Sequence, residues 1–355
     1  MNREELEGLV RRGEVLTDLD LSGTDLSNAR LDGGVFERVR FAGCDLRGAS
    51  LEESTLSSCA LPEAKLDGCD LHHATLYRCE MQAATLTGAR LAVTRIIECD
   101  ASEVDLQGTA LTIVTWVDGS LRNANLSGCK LDRTSIVGVA SHGMNLARAH
   151  LKQSVLVKTD FRSVVLAGVR FELAVLHEGD FTGVSLAGAD LTLTQLMGSA
   201  MGGVDLRGAT VAQCNFKDCD LTGARLDDAN GPSALFLGAK LVDASLRNGR
   251  FAQSNFQRAD LTRAALAGAD LQQCIFHDAV CAGAGLVDCD LTYADLSRAD
   301  LSRADLRGAT LFRARLHRIN DSGTLFSAGR VAALGDDPEL AEAETWRPMI
   351  ATEPR

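Results

Sequence analysis

Large apolar residues return every five positions along almost the whole chain. Counting from Leu16 to Leu316 in steps of five gives 61 positions, and 57 of them are Leu, Phe, Ile, Met, Val or Trp. Ala101, Ser141, Gly231 and Cys281 are the exceptions, and no insertion shifts the frame. Two residues before each large residue stands a small one, mostly Ala, Cys, Ser, Thr, Val or Gly. Asp or Asn often lies between them, as in Ala294-Asp295-Leu296, Ala299-Asp300-Leu301 and Ala304-Asp305-Leu306. A period of five fits neither the 3.6 of an α-helix nor the 2.0 of a plain strand.

The A(D/N)Lxx pattern, held over about 85% of the chain, resembles the pentapeptide-repeat family. That resemblance implies an all-β fold, a right-handed quadrilateral parallel β-helix in which four repeats make one square coil. The large residue and the small one two before it then face inward, and the other three face water. The residues support the coil on their own account. Sorted at steps of twenty, the column from Leu26 to Leu306 is Leu at all fifteen positions, and another holds Phe216, Phe236, Phe256 and Phe276. A simple five-residue period would not segregate residue types in this way. Two residues after the all-Leu column come Gly48, Gly68, Gly88, Gly108 and Gly128. Positive φ is cheap for glycine, so one corner of the square is expected to use a type II-like turn. About 15 coils make a rod on the order of 70 Å long at ~4.8 Å per stacked strand.

An open β-helix exposes strand edges at both ends. Residues 1–15 read as a capping helix, with Asn2 and Glu5 spaced as a capping box and Leu6, Leu9 and Val10 as its apolar stripe. The repeat body covers 16–331. Residues 332–355 read as an acidic helix, about Pro338 to Thr345, and a tail bearing Trp346, which either packs on the last coil or docks a partner. Two stretches, Val139 to Gly143 and Asn230-Gly231-Pro232, lose the inward large residue and are expected to bulge.

Composition narrows the function. Aromatics make up 5% of 355 residues and net charge is −12. No apolar run approaches the ~20 residues of a membrane span, and the first residues lack the apolar stretch of a signal peptide. Ten of eleven cysteines occupy the small inward position, and Cys281 a central one. There they act as small hydrophobes. No CxxC occurs and every histidine falls on an outward position, which argues against zinc, and no cofactor is expected. Unpaired buried thiols suit a reducing, cytoplasmic setting. Acids recur at the consensus slot before the central residue, so catalysis is not needed to explain them, and a filled convex rod offers no pocket to tune a catalytic group. The chain reads as a non-enzyme.

Two surfaces remain as carriers of function. On the face of the Phe column, Tyr77, Ile97, Val117, Val137, Val157, Met197 and Leu237 fall in one outward column, broken by His177 and Lys217. Val155, Val175, Leu235 and Ile275 lie beside it, and Val93, Ile113, Leu173 and Leu193 line the adjoining corner. The all-Leu face is polar instead. An apolar strip of this length marks an interface with a protein partner or across a homodimer, and the candidate partner-binding residues are Tyr77, Ile97, Val117, Val137, Val155, Val157, Val175, Met197, Leu237 and Trp346. The second surface is charge. Small acidic pentapeptide-repeat proteins that protect DNA gyrase from quinolones resemble duplex DNA, which makes gyrase or topoisomerase binding the alternative. Against it, residues 151–330 carry 20 acids and 19 bases, a poor imitation of one charge per ~1.7 Å. Binding to nucleic acid itself is not expected. The long, Cys-rich, in-frame style also resembles pentapeptide-repeat proteins that accompany bacterial type VI secretion adaptors, which implies a scaffold or adaptor role.

Overall fold

The computed structural model describes residues 1–346. Its architecture follows from one backbone relationship: up to the last turn, each residue that bridges to the next coil does so with the residue twenty positions on. Asp20 pairs with Arg40, Asp25 with Asp45 and Arg30 with Ser50, all parallel, and the series continues to Asp300 with Asn320. The result is a parallel β-solenoid of about sixteen turns, all-β apart from two short helices. We number its four faces by their central columns, beginning at Leu16, Leu21, Leu26 and Leu31.

The central residues form one continuous core. Leu26, Leu31, Phe36, Leu106, Leu206 and Leu301 are fully buried, and so are slot residues such as Ala49, Cys69 and Ala264. Phe216, Phe236, Phe256 and Phe276 stack on the first face with centroids 4.8–4.9 Å apart and planes within 5°. The slot shrinks to glycine before some rings. A Cβ on Gly34 would lie 2.6 Å from the Phe36 ring, and one on Gly249 would overlap that of Phe251.

Three-residue strands form on the first face, where β-branched residues mostly flank the core position, and over four coils of the fourth face, from Ala110–Thr112 to Arg170–Glu172, where charged residues mostly do. On the first face eight three-residue strands, from Val15–Thr17 to Val155–Val157, form one sheet. Beyond Val175 the flanking residues become Gln195, Asn215 and Asn255, and the face continues as single bridges.

All four corners, not one, use left-handed backbone. Every fifth residue from Asp18 to Gly323, except Ser163, has φ between 50° and 76°. Two corners are rich in glycine, the expected one after the third face and a second after the second face, with Gly23, Gly43, Gly183, Gly203 and Gly223, so glycine content identified the cheapest turns rather than all of them. Elsewhere Arg, Glu, Gln and even Val93 (φ 61°) and Ile113 (φ 56°) adopt it, at about 1–2 kcal/mol each. The same residue donates its N–H to the next coil, as Asn28 does to Arg47 O at 2.9 Å, while the following N–H closes the turn, as Ala29 does to Leu26 O at 3.0 Å. These bonds offset the strain.

The helix Arg3–Arg11 (α1) begins with a complete capping box between Asn2 and Glu5 and buries Leu6 and Val10. Arg3 donates to Ser27 O and Asn28 O at 3.0 and 3.1 Å, and Arg30 N–H donates to Glu7 Oε1 at 3.0 Å. At the other end the last bridge joins Arg315 to Leu334, so the final turn is one residue short.

The flaws read from sequence behave differently from one another. The stack passes through Asn230-Gly231-Pro232 without a bulge: Asn230 bridges Thr210 and Arg250, and Gln213 N–H donates to Pro232 O. At Val139 to Gly143 the bridge from Ala140 to the next coil is missing, and side chains substitute. Ser141 Oγ donates to Asp160 O at 2.9 Å, and Gly143 N–H donates to Ser163 Oγ at 3.1 Å.

Candidate protein-interaction face

The ladder fixes the apolar strip. Tyr77 pairs with Ile97, Ile97 with Val117, Val117 with Val137 and Val137 with Val157, in unbroken register. Val155 bridges Val175 in the neighbouring column. All of these side chains, with Met197 and Leu237, are half-buried by the residues above and below them, whereas Leu235 and Ile275 are exposed. Ile113, Leu173 and Leu193 project at the adjoining corner, each about two-fifths exposed. From Tyr77 to Leu237 the strip runs eight coils, ~40 Å. His177 interrupts it, with Nε2 buried and without a hydrogen-bond partner.

The third face, opposite, carries three Asp–Arg clamps. Arg47 clamps Asp45, Arg207 clamps Asp205 and Arg307 clamps Asp305, each guanidinium reaching both carboxylate oxygens. The clamps hold the carboxyls of Asp45 and Asp205 down to about 2. The consensus aspartates have a backbone task as well. Each accepts the N–H two residues on, as Asp20 does from Ser22 and Asp300 from Ser302. This is why acids are frequent.

The C-terminal helix Pro338–Thr345 (α2) lies against the first face rather than across the end of the rod. Glu344 accepts from Arg298 at 2.8 Å, pairs with Arg318 at 2.9 Å and lies 3.4 Å from Nε2 of the buried His317. Asp337 caps the helix and donates its own N–H to His317 Nδ1 at 3.1 Å. Trp346 ends the helix 73% exposed, so it does not pack on the last coil. Sequence reasoning could not place this helix, because its contacts join residues far apart in the chain.

All eleven cysteines are buried and free. Nine of the thiols, all but those of Cys69 and Cys281, donate to the carbonyl of a central residue in the preceding coil, as Cys44 does to Leu21 O, Cys214 to Leu191 O and Cys274 to Phe251 O. Thr94 and Ser199 use hydroxyls in the same way, which accounts for the Cys/Ser/Thr preference at the slot. Burial pushes Cys129, Cys214, Cys219, Cys274, Cys281 and Cys289 up to about 12. Among the described residues no group of three or more His, Cys, Asp or Glu is arranged to hold a metal ion, and no helix is long and apolar enough to cross a membrane.

Inward columns, a twenty-residue register and a turn at every fifth residue define a repeat solenoid whose outer faces are free to vary. The pentapeptide-repeat model matches the chain repeatedly, over residues 20–57, 56–92, 145–183, 176–211, 201–230, 239–278 and 279–318. The chain belongs to the pentapeptide-repeat family. Among solved structures it is similar to HetL, a pentapeptide repeat protein involved in heterocyst differentiation regulation in the cyanobacterium Nostoc sp. strain PCC 7120. Identity there is 21%, over 88% of this chain and 96% of that one, with a TM-score of 0.24. QnrB1, a plasmid-mediated fluoroquinolone resistance protein, matches at 18% identity over 55% of this chain and 97% of its own, TM-score 0.23. A pentapeptide repeat protein of the Arabidopsis thaliana thylakoid lumen matches at 24% over 40% and 70%, TM-score 0.20. No curated protein matches the sequence.

Proposed function

We propose that the protein is a non-enzymatic scaffold whose first face binds a protein partner along the apolar strip. One observation carries this reading. The Tyr77, Ile97, Val117, Val137, Val157 ladder presents contiguous apolar side chains, whereas the opposite face of the same solenoid presents Asp–Arg clamps. β-propensity alone would enrich both faces alike, and extended apolar patches are a mark of interfaces. The exposed Trp346 ends the helix that lies farther along this same face, beyond Gln257 and His277, and offers a separate apolar side chain to a partner. An adaptor role, joining components along a rod, suits a strip of this length. A DNA-mimicking role suits it less, because Asp45, Asp205 and Asp305 on the third face are neutralised by the arginines beside them.

The test is the triple replacement of Val117, Val137 and Val157 by Asp. Loss of a co-purifying protein supports a heterologous partner, and a shift from dimer to monomer by light scattering supports a two-fold assembly. Unchanged assembly and unchanged co-purification would dismiss the strip.

A further inference from the structure

The solenoid is split along two of its four faces between the coil holding Phe161 and Phe171 and the coil holding Phe181 and Leu191. On the first and second faces the register is continuous: Val155, Val175 and Gln195 bridge in turn, as do Asp160, Asp180 and Ala200. On the third and fourth faces the steps from Val165 to Ser185 and from Arg170 to Asp190 are missing, although Val165 still bridges Asn145 and Ser185 still bridges Asp205. Arg170 likewise keeps its pairing with His150, and Asp190 with Thr210.

The parted lips are complementary and unpaired. By the register of the intact coils, Leu166 and Gly168 N–H would donate to Ser185 O and Ala187 O, and Ser185 and Asp190 N–H to Val164 O and Val169 O. None of these bonds forms, and none of these groups finds another partner among the described residues. Between the lips lies a cleft of about 690 Å³. Its floor is core: Val164 and Phe171 are each 8% exposed, Leu166, Val169 and Val184 are partly buried, and Val165 stands 47% exposed at the mouth. Backbone groups left unpaired beside an apolar floor are costly, and open strand edges recruit other strands.

We infer that this seam is a binding site for an extended segment of a partner polypeptide, which enters as an additional strand between the two coils. The occupant is set by the lips. Only a backbone supplies donors and acceptors at strand spacing on both of its edges, and the floor asks for apolar side chains at the positions that point inward. Both lips run in the same direction, so the inserted segment runs parallel to them. The site lies on different faces from the apolar strip and does not depend on it.

The test uses the full chain and the ten-residue peptide Ala-Asp-Leu-Ser-Arg-Ala-Asp-Leu-Arg-Gly, which repeats the inward Leu pattern of residues 299–308. Residue-resolved hydrogen exchange is expected to show the amides of Leu166, Gly168, Ser185 and Asp190 exchanging at least ~100-fold faster than those of the intact ladder at Leu206 and Leu226. Saturating peptide is expected to slow all four at least tenfold. The same peptide with Pro in place of both leucines, which cannot donate at those positions, is expected to protect none. Three results would overturn the inference: full protection of the four amides in the free protein, no protection at saturating peptide, or protection confined to the first face.

Discussion

The ring of Phe251 occupies the space that a side chain at Gly231, one coil earlier in the same column, would need. A Cβ at 231 would lie 3.0 Å from that ring and 2.7 Å from Val211 Cγ2. The missing large residue at 231 is therefore a packing solution, and the chain crosses it without a bulge. Gly231→Leu is expected to cost about 1–3 kcal/mol by overpacking. Adding Phe251→Ala should recover part of that loss in a double-mutant cycle read by chemical denaturation. Additive losses would separate the two residues.

Gly119 follows Trp116 by three positions and combines φ of 85° with backbone contact. A Cβ there would overlap the carbonyl of Cys99. Gly119→Ala is expected to lower stability by about 1–3 kcal/mol, more than Gly128→Ala, whose Cβ would meet nothing nearer than 3.9 Å. Equal melting-temperature losses would refute the contact.

The buried thiols near 12 hold almost no thiolate at pH 8. Cys129, Cys214, Cys219, Cys274, Cys281 and Cys289 should therefore resist alkylation by iodoacetamide in the native protein and react once it is unfolded. Labelling mapped by mass spectrometry at native pH 8 checks this. Rapid modification of any of the six would mean that its coil opens.

The Asp–Arg clamps make acid a destabiliser. The carboxyls of Asp45 and Asp205 are depressed from 3.8 to about 2, so their contribution is present above ~4, the unfolded value, and is lost as pH falls through the folded one. Denaturation curves should show stability declining between about pH 4 and pH 2. The double variant Asp45→Asn, Asp205→Asn should show a shallower decline over that window than the parent.

The docking of α2 should respond to acid in the same direction. Loss of solvent raises the Glu344 carboxyl, but hydrogen bonds from His317 and Arg298 and the charge of Arg318 bring it below its ordinary value overall. Docking is therefore favoured above the usual carboxylate range and weakens below it. Glu344→Gln is expected to speed amide exchange across residues 338–345 at neutral pH while leaving the repeat body unchanged. Exchange indistinguishable from the parent would show that the helix is held by other contacts.

How far the sequence could be read depended on how local each cause was. Leu26 through Leu306, spaced by twenty, revealed the coil because every coil imposes the same inward position. The strip from Tyr77 to Val157 was legible for the same reason, since outward columns inherit the register. The corners were under-read because glycine marks only the cheapest left-handed turns, and Val93 and Ile113 pay strain that composition does not display. The seam was not legible at all: Leu166, Phe171, Leu186 and Leu191 keep the repeat, yet the ladder between their coils is absent. Nor was the seat of α2, which rests on Glu344 meeting Arg298 and Arg318. Those are contacts that no short-range pattern encodes.

The last bridge, Arg315 to Leu334, spans nineteen residues where the others span twenty. A staircase with constant steps would present at its top an edge matching its own bottom, and copies could join end to end into a fibre. Here the short step falls between Ala332 and Leu334, and Leu334 still donates to Ala314 O and accepts from Leu316 N–H, both at 2.8 Å, so the break in the staircase lies in the covalent chain and not in the ladder of hydrogen bonds.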